Sequence, residues 1–370
     1  MKTGDIRPLD ENCIFIDIRT EAERDLGAIP GAVVTDAETL LRDPPADKTA
    51  RYILVDGRGD IGPGIAEKLR SLGYDAEALE DGWFGWVRYD MERTRDEDFA
   101  GRAEESIRKR FRRDLMTRFT RALTDYQLIS PGDRIAVCIS GGKDSMCMAK
   151  LFQELHRYTN VDFDLRFIVM DPGYNSRNRR MIEENARRLD IPIEIFESPI
   201  FDSVVNVEKS PCYLCARMRR GYLYRFAREL GCNKIALGHH YDDVIETILM
   251  GMLWGAQIQT MMPKLKSTNF EGMELIRPMY LIREDDIKAW RDANGLHFIQ
   301  CACRFTESVT LDDKSREESK RKEIKELIRE LKKTNPDVDK MIFKSVENVN
   351  LDTVIAYKKD GERHSFLDEY

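Results

Sequence analysis

The run Ser140-Gly-Gly-Lys-Asp-Ser145 constrains this chain more than any other feature, because of where it stands. It follows directly on the apolar stretch Ile135–Ile139, which reads as a buried strand, and it opens a segment of helical patterning from Met146 to His156. Gly141 and Gly142 let the backbone approach a ligand without a Cβ, and the helix start behind them offers unpaired N–H groups. Together these make an anion cradle. The hydroxyls of Ser140 and Ser145 add donors, Lys143 adds charge, and Asp144 can position Mg²⁺ or a base, so the loop suits a pyrophosphate group better than a lone phosphate. A Walker A loop is excluded, since Gly-x-x-x-x-Gly-Lys-Ser/Thr is absent. A glycine-rich turn without a ligand is the plain alternative.

A chain of 370 residues should form two or three units. After Ser130-Pro-Gly-Asp133, strand candidates at 135–139, 165–170, 193–196 and 234–237 alternate with segments of helical length. That alternation predicts an α/β fold with a doubly wound, mostly parallel sheet, whose ligands sit at the carboxyl ends of the strands. Earlier, 13–17, 32–34 and 52–56 read as buried strands and 64–72 as a helix closed by Gly73, which predicts a small α/β layer fold in front. Residues 91–102 read as a linker. From Glu104 to Leu128, Ile107, Phe111, Leu115, Phe119 and Leu123 recur every four residues, which predicts one amphipathic helix; its other face, with Arg102 just before it, carries Arg108, Lys109, Arg110, Arg112, Arg113, Arg118 and Arg121, a surface for a nucleic-acid backbone or for solvent. The tail from Asp312 to Lys333 reads as a charged helix stopped by Asn335-Pro336. Charge divides along the same line: residues 1–100 hold 13 Lys and Arg against 23 Asp and Glu, while the rest carries a net +3. Only the second part is suited to a phosphate-rich polymer. No run of 18 apolar residues occurs and the N-terminus lacks a signal-peptide pattern, so a cytoplasmic protein without a membrane partner is expected.

Of the eight cysteines, Cys138, Cys147 and Cys232 stand in apolar contexts that suit small buried side chains. Cys212-x-x-Cys215 and Cys301-x-Cys303 are close pairs and suggest a metal. Pro211 and an Arg-rich segment surround the first pair, and a helix start with guanidiniums nearby favours thiolate. Four thiolates would make structural zinc, although Cys-x-Cys is a cramped half of such a site. Three thiolates would hold a [4Fe–4S] cluster with one iron open to an exogenous sulfur.

The motif at 140–145 resembles the signature of the PP-loop pyrophosphatase superfamily, Ser-Gly-Gly-x-Asp-Ser, at every fixed position. The resemblance implies ATP cleavage between the α and β phosphates, adenine beside Val169-Met170-Asp171, and the element Gly238-His-His-Tyr-Asp-Asp243 beside the phosphates. With Pro-Cys-x-x-Cys, the following Ala216-Arg-Met-Arg-Arg-Gly-Tyr-Leu-Tyr224 and a late cysteine, residues 104–360 resemble the tRNA 2-thiocytidine synthetase family and its 2-thiouridine-forming relatives. That resemblance implies a [4Fe–4S] cluster, rather than zinc, on Cys212, Cys215 and Cys301. Relatives often carry Cys-x-x-Cys at the late site, so Cys303 stays a rival to Cys301. It also implies that ATP with Mg²⁺ adenylates a tRNA base, that Asp243 assists activation, and that Arg219 lies near ATP and cluster. The sulfur would come from free sulfide, a cysteine desulfurase or a persulfide carrier. Relatives are often homodimers; the residues themselves are silent on this.

Asp17-Ile-Arg19, Gly27-Ala-Ile-Pro-Gly-Ala32 and Leu79-Glu-Asp-Gly-Trp83 resemble rhodanese domains over residues 8–90. Rhodaneses place a persulfide-carrying Cys after the strand that ends at Val55, and here that residue is Asp56, so the module is expected to be inert as a sulfurtransferase. The expected organisation is a rhodanese-like domain at 1–95, linker and basic helix at 96–130, PP-loop domain at 131–310 and a helical extension at 311–370. The alternatives are an ATP-dependent ligase or amidating enzyme with structural zinc, thiolation of another base or a small molecule, and a nucleotide or tRNA sensor without turnover.

Overall fold

The computed structural model describes residues 13–25, 27–93, 98–198, 200, 211–298 and 315–368. In the first module, alternate strand residues divide between two cores: Phe15, Ile53 and Val55 face one, Ile16, Tyr52 and Leu54 the other. Strands Cys13–Asp17 (β1) and Arg51–Val55 (β3) therefore sit at the centre of a parallel sheet, ordered β2-β1-β3-β4 with Val33–Val34 (β2) and Asp75–Ala78 (β4) at its edges. The expectation of a buried strand at 32–34 is corrected here. β2 pairs only with β1, and Val33 and Val34 are about half exposed, as an edge strand must be when nothing covers it. The Asp17-Ile-Arg19 motif has a structural role. The buried Arg19 guanidinium pairs with Asp17 at 2.6 Å, donates to the Gly27 carbonyl at 2.9 Å and lies 3.7 Å over the Trp83 ring, so its charge is compensated on every side.

The second sheet is ordered β7-β6-β5-β8-β10-β9. Its members are Asp133–Ile139 (β5), Phe163–Asp171 (β6), Ile193–Glu197 (β7), Lys234–Ala236 (β8), Lys264–Lys266 (β9) and Glu274–Ile276 (β10). All neighbours are parallel except β9 with β10. Along β5, Ile135, Val137 and Ile139 face one apolar cluster while Ala136 and Cys138 face another, so helices cover both faces. Strand order reverses on either side of β5, the switch point of the sheet, and the crevice at the carboxyl ends of the strands there is where open α/β sheets take their ligands. Cys138, Cys147 and Cys232 are buried, as their contexts predicted.

The helix expected over 104–128 is not continuous. Helix Phe99–Arg108 ends at Lys109, a π-helical turn spans Arg112–Met116, and helix Thr117–Asp125 follows. The shift in register keeps Ile107, Phe111, Leu115 and Phe119 all buried, which a straight 3.6-residue helix would carry around its axis. Its basic face is largely paired: Lys109 with Glu105, Arg118 with Asp286, Arg121 with Asp125. The stretch expected as a linker is entered by helix Gly82–Arg93 from one side and helix Phe99–Arg108 from the other. The charged tail forms helix Ser315–Thr334, whose Ile324 and Ile328 are buried against helix Tyr241–Gly255 and helix Val338–Ser345. The chain then forms the hairpin Ala356–Lys359 (β11) and Glu362–Ser365 (β12), which carried no legible signal.

Candidate active site

Helix Lys143–Tyr158 starts at the end of β5 with Gly142 as its N-cap and no side chain bonded to its first amides. Gly141, at φ +86°, makes the turn that a side chain would strain. The first-turn N–H groups are thus presented toward the crevice without a side-chain partner of their own. Ser145 is buried, and its hydroxyl donates to the Gly142 carbonyl at 3.0 Å and accepts from the Ser140 N–H at 3.1 Å, so it closes the loop on itself; the Ser140 hydroxyl lies 3.2 Å from it. Asp144 keeps one buried carboxylate oxygen without a hydrogen-bond partner. An orphaned anionic oxygen beside free amides fits a divalent cation held against a polyphosphate.

The loop after β8 closes the opposite wall. A Cβ on Gly238 would lie 3.2 Å from the Ser145 nitrogen and the Asp144 carbonyl carbon, so a larger residue would push the two loops a few tenths of an ångström apart. His240 caps helix Tyr241–Gly255: its Nδ1 accepts from the Asp243 N–H, and Asp243 Oδ2 accepts from the His240 N–H at 3.0 Å. This reciprocal cap orients the Asp243 carboxylate. Burial works against its charge, but His240, His239, the His240 N–H and Arg321 together hold its pKa below the ordinary aspartate value. His239 is pushed down to about 4 by burial and by Arg277, so it is neutral near pH 7, and its Nδ1 has no partner. Asp242 serves packing. It accepts from the Glu284 N–H at 2.7 Å and pairs with Arg283 at 3.1 Å.

Of the charged groups around this loop, Lys143 was singled out from the sequence and Glu284 and Glu246 were not. Lys143 lies 3.2 Å from Asp144 and 3.0 Å from Glu284, at the start of helix Glu284–Ala293. Burial lowers the Lys143 pKa, but these two carboxylates outweigh it and hold it above the usual lysine value. Glu284, despite burial, is held far below the usual glutamate range by Lys143, Lys325 and Lys288. Glu246, one turn after Asp243, is pushed up to about 7 by burial, against the pull of Lys325 and Arg321. Met170 is buried at the end of β6, where Asp171 accepts from the Gly173 and Tyr174 N–H groups and from Arg179 at 2.8 Å. A cavity of 620 Å³ opens there, lined by Asp171, Tyr174, Arg179 and Ser198. Arg219 is half-buried on helix Pro211–Glu229.

Cys212 and Cys215 fall in the first turns of that same helix, three residues apart. A cysteine pair at this spacing is of the chemistry that soft metal centres take. Cys301 and Cys303 lie outside the described residues. The described chain runs to Phe298, just before them, and His297 there accepts the rhodanese-like module: its Nε2 lies 2.9 Å from Asp90 Oδ2, both side chains buried. Arg177 to Asp81 at 2.9 Å and Lys288 to Asp25 at 3.2 Å are further ion pairs of this contact.

In the first module the loop after β3 folds around Asp56. Its Oδ1 accepts from the Arg58 N–H at 3.1 Å and from the Gly59 N–H, and its Oδ2 from those of Ile61 at 2.8 Å and Gly62 at 2.6 Å. The side chain is buried, so the loop is a backbone anion nest filled by its own carboxylate.

Comparison with known proteins agrees with both halves. The family model described as PP-loop domain matches residues 112–304, and that described as Rhodanese-like domain matches residues 6–89. A curated protein of Polaromonas naphthalenivorans, tRNA-cytidine(32) 2-sulfurtransferase, is 32% identical over 269 residues, 72% of this chain and 80% of the relative. A protein of the same name from Pelobacter propionicus is 34% identical over 234 residues, 62% of this chain and 83% of its own. Among solved structures, the U34-tRNA thiolase NcsA from Methanococcus maripaludis with its [4Fe-4S] cluster aligns at TM-score 0.49 and 22% identity, over 63% of this chain and 78% of that one. With a crevice of the expected make-up and relatives of this likeness, the chain belongs to the PP-loop family of the tRNA-cytidine(32) 2-sulfurtransferases, and it carries a rhodanese-like domain in front.

Proposed function

We propose that this chain is an ATP-dependent tRNA sulfurtransferase that converts a cytidine of tRNA, position 32 by the name of its relatives, to 2-thiocytidine through an adenylated base. The observation that carries the reading is the meeting of the two loops at the sheet's switch point, where the free amides at 142–145 and Lys143 face the oriented carboxylate of Asp243 across Gly238. In the proposed roles, the loop amides, Ser140 and Lys143 hold the β and γ phosphates, Asp144 takes Mg²⁺, and adenine lies against Met170. The base carbonyl oxygen attacks the α-phosphorus and pyrophosphate leaves. As that oxygen gives up its lone pair the ring becomes cationic, and an ionised Asp243 offsets the charge. Sulfide then attacks the same ring carbon, and the original oxygen departs with AMP. Arg219 is placed by analogy to offset phosphate charge. A [4Fe–4S] cluster on Cys212, Cys215 and Cys301 would supply the sulfide at an open iron.

Sulfur replaces a poor leaving oxygen here, so ATP activation is chemically required. The rhodanese-like module lacks a thiol at Asp56 and is proposed to serve in contact rather than in sulfur transfer, with the domain limits given above. The donor is proposed to be sulfide or a persulfide brought by another protein. The test is mass spectrometry of nucleosides from bulk tRNA of the source organism with the gene intact and deleted. Loss of 2-thiocytidine alone is expected; an unchanged set of thionucleosides refutes the reading.

A further inference from the structure

The C-terminal helix Ser315–Thr334 reaches back into the crevice. Its Ile324 and Ile328 pack on Val244, Ile245 and Ile248 of helix Tyr241–Gly255, which fixes the face that carries Arg321 and Lys325. Arg321 Nη1 donates to Asp243 Oδ1 at 3.2 Å, and its Nε lies 3.5 Å from Glu246. Lys325, one turn on, lies 3.2 Å from Glu284 and 3.7 Å from Glu246. Glu284 in turn holds Lys143 at 3.0 Å. The two oxygens of Asp243 are therefore held from two sides, Oδ2 by its own helix cap and Oδ1 by a residue 78 positions away.

We propose that Arg321 is the positioning residue of Asp243, and that Lys325 acts through Glu284 to position Lys143, so that one turn of the C-terminal helix sets both walls of the nucleotide site. The proposal rests on the reading of that site as an ATP site. An exposed ion pair would contribute little. These pairs differ because the carboxylates they hold are largely shielded from water: Glu246 is buried, and the side chains of Asp243 and Glu284 are only 16% and 17% exposed. A carboxylate free to rotate by one bond loses the geometry that a reacting centre needs. The charged and titratable groups facing Asp243 are His239, His240 and Glu246 from its own loop and helix, Arg277 after β10, and Arg321. Of the cations among them, Arg321 donates a hydrogen bond to Asp243 Oδ1.

The experiment uses the full chain, with pyrophosphate release measured in the presence of tRNA, ATP and sulfide. Arg321→Gln is expected to lower kcat about 100-fold while KM for ATP changes little. Removing a positive charge raises the pKa of the carboxylate it faced, so the acid limb of the pH–rate profile should move to higher pH. Arg321→Lys should restore most of the rate and the original limb. A folded Arg321→Gln chain with wild-type kcat and an unmoved acid limb overturns the proposal alone. A wild-type chain that releases no pyrophosphate overturns the ATP reading and the proposal with it; where the wild type does release it, Lys143→Ala, which should abolish release, separates loss of the phosphate site from loss of Arg321.

Discussion

Replacing Asp56 by alanine removes the acceptor for four backbone N–H groups at once. The bonds to Arg58, Gly59 and Ile61 are only partly buried, so water can replace the carboxylate at a cost of about 0.5–1.5 kcal/mol each. The Gly62 N–H is buried, and leaving it without a partner costs about 1–3 kcal/mol. The sum is about 2.5–7.5 kcal/mol, a large part of the stability of a module of this size. The expectation that this module is inert as a sulfurtransferase therefore applies to chemistry and not to folding. Urea unfolding followed by tryptophan fluorescence reads it out, since Trp83 and Trp86 are buried in this module and the Trp83 N–H donates to the Asp56 carbonyl. Asp56→Asn is the sharper variant. It keeps the shape but turns an amide NH₂ toward two donors, so it should lose at least half as much as alanine. A loss below about 1 kcal/mol for alanine, or an asparagine variant as stable as wild type, would refute the idea that the carboxylate organises this loop.

Cys212→Ala, Cys215→Ala and Cys301→Ala should each remove bound iron and thiolation from a folded chain, measured by iron content per chain and nucleoside analysis, whereas Cys303→Ala should keep both; the reverse result for the last two would exchange their roles. Gly238→Ala would place a Cβ 3.2 Å from the backbone at Asp144 and Ser145, so ATP affinity by calorimetry should fall about 10-fold with the fold intact. Glu246 ionises near 4.5 when unfolded and at about 7 when folded, so between these values the folded chain holds a proton that the unfolded one gives up, and stability falls as pH rises. Glu246→Gln removes that component: its stability relative to wild type should grow by up to about 3 kcal/mol from pH 4.5 to 7 and then level off, and a pH-independent difference would contradict the buried, proton-retaining glutamate.

The division between sequence and tertiary structure follows from the range of the interactions. Ser140–Ser145, the cap of His240 on Asp243 and the nest around Asp56 each close within six residues. Their composition is written contiguously, and strand alternation around β5 reports burial on both faces, so the α/β fold, the phosphate loop and Asp56 at the cysteine position were all legible. Where a local pattern was misread, neighbours had decided it. Val33 and Val34 are apolar enough for a core strand, but no element covers the edge they occupy. The four-residue repeat from Ile107 to Phe119 is kept buried only by a π turn, which no single residue announces. The arrangement of charge in the crevice was the least legible. Glu246 and Glu284 look like surface glutamates of amphipathic helices, and Arg321 and Lys325 like solvated positions of a charged tail. Only the packing of Ile324 and Ile328 onto helix Tyr241–Gly255 brings these cations to Asp243 and Glu284. Sequence by itself determined which chemical groups each loop offers, because a loop and the helix it opens are neighbours along the chain. Tertiary structure decided which charges meet, because Coulomb interactions act across space between residues that the chain keeps far apart.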